Sequence, residues 1–156
     1  MPASESPTLL VVPAFCESQR LPRFLPDLCG AVAAMDGAPV QIMVVDDGSG
    51  TAEQKFLIDL VAELRESHTF LMEPLILEEN RGKGGAVYAG WDASEGGGFS
   101  KLGFVDADGA VSASEVVRVL EFVPESLRRY RRGADDLWRE RIMLRHRRLE
   151  VARVSS

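Results

Sequence analysis

The stretch Val40-Gln41-Ile42-Met43-Val44-Val45-Asp46-Asp47-Gly48-Ser49-Gly50 (VQIMVVDDGSG, residues 40–50) runs from a short apolar segment into an abrupt acidic, glycine-rich turn. The apolar part, Val40 to Val45, has the length of a buried strand, and Asp and Gly after it favour a turn. Toward the N-terminus, Thr8 to Pro13 (TLLVVP) is a similar run. Between the two, Pro22 suits a first helical turn, Phe24, Leu25, Leu28, Val32 and Met35 recur at spacings of three and four, and Asp36-Gly37-Ala38-Pro39 stops the pattern. Toward the C-terminus a helix is expected from Thr51, with Phe56, Leu57, Leu60, Val61 and Leu64 on one face and Thr51 with Gln54 as a capping box.

Further along, Leu75, Ile76 and Leu77 read as a third strand, followed by a loop from Arg81 to Gly85 and a helix with Val87, Gly90 and Trp91 on one side. The Gly96-Gly97-Gly98 run closes that helix. Leu102 to Val105 is the fourth strand and Asp106-Ala107-Asp108-Gly109 its exit loop. Ser112 and Glu115 then cap a helix whose apolar positions are Val116, Val119, Leu120 and Val123. The order β-α-β-α-β-α-β-α predicts an α/β, Rossmann-like, mostly parallel sheet with helices on both faces and right-handed crossovers. In such sheets ligands gather at the carboxyl ends of the strands, where every unusual polar cluster of this sequence falls.

Three clusters carry the chemistry. Asp46 and Asp47 are adjacent at a strand end, so one can reach a base N–H or ribose hydroxyls while the other serves the turn. Asp106 and Asp108 are two apart and share a side if the chain stays extended; two hard oxygen ligands suit Mg2+ or Mn2+, with phosphate and water completing the shell. Asn80-Arg81-Gly82-Lys83-Gly84-Gly85 sets two cations and three glycines before a helix, a place for an anion. Neither GxxxxGK[ST] nor GxGxxG after strand one is present, which disfavours an ATPase and a standard dinucleotide site. A phospho-receiver is disfavoured by order, since its acidic pair follows strand one and here the pair follows strand two.

Together VVPAFCE (11–17), VVDDGS (44–49), NRGKGGAV (80–87) and FVDADG (104–109) resemble the family 2 glycosyltransferases of GT-A fold over roughly residues 8 to 123. Within that family, ESQRLPRFL (17–25), NRGKGGAV and FVDADGA look most like the dolichyl-phosphate β-glucosyltransferases of the polyprenyl-phosphate group. The resemblance implies that Pro13, Phe15 and Glu17 flank the nucleotide, that Asp46, helped by Asp47, binds the base, and that Lys83 and Gly84 lie in the donor pocket. It also implies that Asp106 and Asp108 hold a Mg2+ or Mn2+ ion and the diphosphate, with Asp108 acting through leaving-group stabilisation. Its donor would be a UDP-sugar, UDP-glucose before a GDP-sugar, and its acceptor a polyprenyl phosphate or a saccharide. Transfer would proceed with inversion by in-line attack, with no protein nucleophile and no identifiable general base. The alternative is a catalytically incomplete nucleotide-sugar-binding module. One position departs from the family: Cys16 stands where Asn usually precedes the motif glutamate.

At 156 residues, 46% hydrophobic and 27% charged, the chain has the composition of one folded domain. No apolar run approaches the roughly 20 residues of a membrane span, and MPASESPT lacks a signal-peptide pattern, so a cytoplasmic location is the expectation. Cys16 and Cys29 are expected to be reduced thiols, and His68 and His146 surface residues. The net charge of -6 is uneven: residues 1–123 hold 8 Lys and Arg against 19 Asp and Glu, whereas residues 124–156 hold 10 arginines against 5 acids. The expected division is therefore a nucleotide-sugar-binding GT-A domain at 1–123, truncated after its DxD motif, and an arginine-rich tail at 124–156 unlike the family. Three readings stand for the tail: a solvated helical surface with Gly133 as an interruption, a segment from a truncated or altered reading frame, or a patch for anionic lipid that would make the chain peripheral at the inner face of a membrane. No nucleic-acid-binding signature accompanies its charge. A homodimer that completes the site is compatible with the sequence.

Overall fold

The structure is a computed structural model that describes residues 7–36 and 39–121, together with the backbone of 128–132, 137–143 and 149–154. The elements are β1 (Thr8–Ala14), α1 (Leu21–Ala33), β2 (Val40–Asp46), α2 (Thr51–Arg65), β3 (Leu75–Ile76), α3 (Gly82–Ala93), β4 (Lys101–Val105), α4 (Ala113–Glu121), β5 (Arg128–Arg132), β6 (Leu137–Met143) and β7 (Leu149–Val154). They form one sheet in the order β3-β2-β1-β4-β7-β6-β5. β3, β2, β1 and β4 are parallel to one another, as the β-α alternation predicts. Beyond β4 the pairings are antiparallel.

The parallel half is buried on both faces because its strands are apolar at successive positions. Leu10, Val12, Ile42, Val44 and Val105 pack beneath α1, α2 and α4, while Leu9, Val11, Met43, Val45, Leu102 and Phe104 pack beneath α3. α3 lies close to the sheet because Gly90 allows it: a Cβ there would stand 2.8 Å from a methyl of Val11 and 3.0 Å from one of Val45. The Trp91 Nε1–H donates to the Gly103 carbonyl at 3.2 Å, so the buried indole leaves no polar group unmet.

Several sequence expectations change. Thr51 is the first residue of α2 rather than its cap; Gly50 takes that place, and Gln54 donates across to the Asp46 carboxylate at 3.2 Å. Phe56, expected on the inner face of α2, is 41% exposed, while Leu57 and Val61 are buried. α3 begins at Gly82, so Lys83, Gly84 and Gly85 form its first turn instead of a loop. The Ser112 cap is as expected, its Oγ accepting the Glu115 N–H at 3.3 Å. The helical reading of the tail gives way to three strands, whose sequences include the β-favouring Trp138, Ile142, Val151 and Val154. Val123, Gly133 and His146 lie outside the described residues.

Cys29 is fully buried on the inner face of α1, and burial pushes its thiol from 9.0 to about 11. Cys16 is exposed, and both are free thiols. A raised folded-state value means that the unfolded chain loses its proton first, so the contribution of Cys29 to stability is intact below pH 9 and is lost as pH rises toward 11. A thiol reagent at pH 8 is expected to label Cys16 alone in the folded chain and both cysteines in urea. Rapid labelling of both without denaturant would contradict this packing. His68 is half-buried, its ring tilted against Phe70 at 5.3 Å.

Candidate functional site

The ladder between β1 and β2 continues to Ala14↔Asp46, but that between β1 and β4 stops at Val11↔Phe104. Pro13, which has no N–H to offer, sits where β1 has parted from β4. The chain order also reverses here, because β4 flanks β1 on the side opposite β2. A hollow of about 220 Å³ opens at this switch point. Its walls are Pro13, Ala14, Phe15 and Glu17 after β1, Asp47 after β2, Lys83 on α3, and Asp106, Ala107 and Asp108 after β4.

The loops are tied to one another. Asp46 is 1% exposed and lies outside the hollow; its carboxylate accepts the Ser49 N–H at 3.0 Å and the Gln54 amide. The adjacent pair is thus divided, with Asp46 serving the turn and Asp47 facing the hollow. The Asp47 Oδ1 accepts the Arg81 N–H at 2.7 Å, and its carbonyl accepts the Asn80 amide at 3.1 Å. The Ser49 hydroxyl accepts the Cys16 N–H at 2.8 Å, and Ser18 donates to Glu53 of α2 at 2.8 Å. Arg20 grips Glu17 with two bonds of 2.7 Å. The Glu17–Arg20 pairing at i,i+3 is the one of these ties that a local spacing, ESQR, signals. The Ser18–Glu53 and Asn80–Asp47 ties span 35 and 33 positions and left no local signal.

Phe15 is 51% exposed, an aromatic ring offered to solvent at the mouth of the hollow. Cys16 beside it has φ of 51°, a left-handed conformation that Asn adopts more readily than other side chains. An asparagine, which the resemblance leads one to expect at this place, would therefore have a backbone reason. Cys16→Asn is expected to raise stability by about 0.5–1 kcal/mol, read as a higher urea midpoint; a lower midpoint would contradict the strain argument.

After β4 the chain does not stay extended. It turns at Ala107 and Asp108, with the Ala110 N–H donating to Asp108 Oδ1 at 2.9 Å and Gly109 at φ of 72°. Asp106 and Asp108 nevertheless line the same hollow. Lys83 Nζ lies 3.3 Å from Asp106 Oδ1 and 5.9 Å from the centre of the Phe104 ring. Among the described residues no group of three or more His, Cys, Asp or Glu converges as an ion cage. Two carboxylates from one loop are the donor set that Mg2+ or Mn2+ accepts when phosphate oxygens supply the rest, so these residues fit such an ion. Gly84, also expected in the donor pocket, is on the first turn of α3 beside Lys83 with open space above it. A second hollow of about 450 Å³ lies across Asp108, between the starts of α1 and α4, with Arg20, Arg23 and Ser112 in its wall.

The sequence matches the model of glycosyl transferase family 2 over residues 9–146, a span that runs past Val123. This chain belongs to that family. Among curated relatives of this family 2 chain, the dolichyl-phosphate beta-glucosyltransferase of Drosophila melanogaster is 37% identical over 114 residues, covering 68% of this chain and 33% of the relative. That of Saccharomyces cerevisiae is 30% identical over 115 residues, covering 73% and 33%. The likeness expected from ESQRLPRFL and NRGKGGAV is thus met, and the chain spans about a third of the length of these relatives. Two solved structures share the fold. A mannosyltransferase from Pyrobaculum calidifontis in complex with GDP-Man and Mn2+ aligns with a TM-score of 0.54 at 19% identity, covering 77% of this chain and 33% of that one. S. aureus TarS 1-349 in complex with UDP aligns at 0.50 and 22% identity, covering 65% and 27%. The family 2 fold is the α/β, GT-A-like arrangement that the four motifs imply.

Proposed function

We propose that this chain binds a UDP-sugar, UDP-glucose first among them, together with Mg2+ or Mn2+, and takes part in inverting transfer of the sugar to a polyprenyl phosphate or saccharide. What carries this reading is the hollow where β1 parts from β4, which gathers Pro13, Phe15, Glu17, Asp47, Lys83, Asp106 and Asp108. In it the exposed Phe15 ring is a surface for the base, and Asp47 and Glu17 are acceptors for base N–H or ribose hydroxyls. Asp46 then acts behind Asp47, through the turn it holds. Lys83 and Gly84 receive the diphosphate at the first turn of α3. Asp106 and Asp108 would hold the metal ion, which when bound neutralises charge on the departing nucleotide.

A polyprenyl phosphate oxygen is already anionic near neutral pH, so positioning would replace a general base. The hollow across Asp108, with Arg20 and Arg23, is the approach we assign to that anion. The names of the curated relatives support this acceptor class. Among the described residues no helix is long and apolar enough to cross a membrane. The arginines of residues 124–156 support peripheral contact with an anionic surface at the cytoplasmic side, at about 1 kcal/mol per basic residue near it.

The test is calorimetry with UDP and Mn2+, followed by transfer from UDP-glucose to a short-chain polyprenyl phosphate. Micromolar, metal-dependent UDP binding with turnover supports the full reading. Binding without turnover favours the second reading, a nucleotide-sugar-binding module. Absence of UDP binding would sink both.

A further inference from the structure

We propose that Lys83 is a resident cation that occupies the metal carboxylate until a diphosphate draws it off, so that nucleotide and divalent ion bind as a coupled pair. The inference rests on the donor-site reading above and adds a regulation of that site. Lys83 Nζ straddles the Asp106 carboxylate, 3.3 Å from Oδ1 and 3.5 Å from Oδ2. On its other side the Phe104 ring faces it at 5.9 Å, a further favourable contact for an ammonium group. Among the described residues lining the hollow, four are acidic and Lys83 is the one cationic side chain. Glu17 is gripped by Arg20 and Asp47 by the Arg81 N–H, so the charge of Lys83 falls on the loop after β4.

The two partners differ in freedom. The Asp106 side chain is 14% exposed and fixed at a strand end, whereas that of Lys83 is 51% exposed at the tip of a flexible stem. When something arrives, the lysine is the group that moves. A divalent ion approaching Asp106 alone meets an ammonium already there and must displace it or bear its repulsion. A diphosphate offers Lys83 a new counter-charge within the same hollow and so loosens its hold on Asp106. Each ligand then tightens the other by the same factor, as linkage requires. Lys83 thereby disfavours an ion held without nucleotide.

The experiment is a set of calorimetric titrations on the full chain with Mn2+ alone, UDP alone, and each in the presence of the other. Lys83→Met is expected to bind Mn2+ alone about fivefold more tightly than wild type, the upper range for losing a partly exposed charge, and to bind UDP alone several-fold more weakly. The factor by which UDP tightens Mn2+ should shrink accordingly. Lys83→Arg keeps the charge and should stay near wild type for Mn2+ alone. Lys55→Met removes a charge from the exposed pair with Asp59 on α2 and should change neither titration. If Mn2+ affinity in Lys83→Met is equal to or below wild type, or if Lys55→Met reproduces the gain, the proposal is overturned while UDP–Mn2+ binding by wild type still upholds the donor site. A wild-type chain that binds neither UDP nor Mn2+ overturns both.

Discussion

Asp108→Ala is expected to lower UDP affinity at saturating Mn2+ by about a hundredfold or more, leaving only the weak, metal-independent binding of the nucleoside. Asp106 and Asp108 line the hollow from one loop and are the donor pair proposed for the ion, so removing one would leave a single carboxylate for an ion that would also have to recruit phosphate. Alanine also removes the acceptor for the Ala110 N–H, so the turn itself changes. Asp108→Asn separates the two effects, because an amide oxygen can still accept that bond while the charge is gone. Both variants should lose metal-dependent binding, and the asparagine variant should keep the wild-type urea midpoint. Unchanged UDP–Mn2+ affinity in Asp108→Asn would remove the metal from the reading of this site.

Gly48→Ala is expected to cost roughly 3 kcal/mol and to loosen the site with it. Gly48 has φ of 71°, and a Cβ there would stand 2.6 Å from the Asn80 nitrogen and 2.6 Å from the Glu79 carbonyl carbon. These are backbone atoms, so neither can swing aside. The strained φ alone accounts for about 1 kcal/mol, and the overlap must push the turn after β2 away from the segment that enters α3. That shift would break the Asn80–Asp47 and Arg81–Asp47 bonds and carry Lys83 off Asp106. Gly50→Ala is the control: its φ is 93° but nothing lies within 4 Å, so only the strain remains. Urea unfolding at constant m-value distinguishes the two, and equal midpoints would contradict the close approach.

Where the sequence is periodic and apolar, it is readable. β1, β2 and β4 announce themselves as β-branched or apolar runs buried on both faces, and α1 and α4 by three-and-four spacing. The acidic pair also foretells a division of labour, since adjacent side chains at a strand end cannot both face one ligand. Which aspartate does which depends on Ser49 and Gln54 reaching back to Asp46, a contact across a turn that no spacing rule fixes. The start of α3 is missed because three glycines within NRGKGG read as loop, while the Asp47 carboxylate that accepts the Arg81 N–H just ahead of the helix lies 34 positions earlier. The strands after α4 are missed for another reason. Short, arginine-rich segments bear little hydrophobic periodicity, and the one of them that joins the parallel half, β7, pairs with a strand over 40 residues earlier.

That pairing bears on how the chain is made. Every strand partner in the β3-β2-β1-β4 half lies within residues 8–105, and the last helix that covers it ends at Glu121, so this half can assemble once that much chain has left the ribosome. β4 then waits with one open flank until residues 149–154 arrive to pair with it. During vectorial synthesis that flank is a template for a neighbouring nascent chain, and it sits one residue from Asp106. The loop proposed to take the metal ion is therefore anchored, for part of the molecule's life, on an edge strand of its sheet.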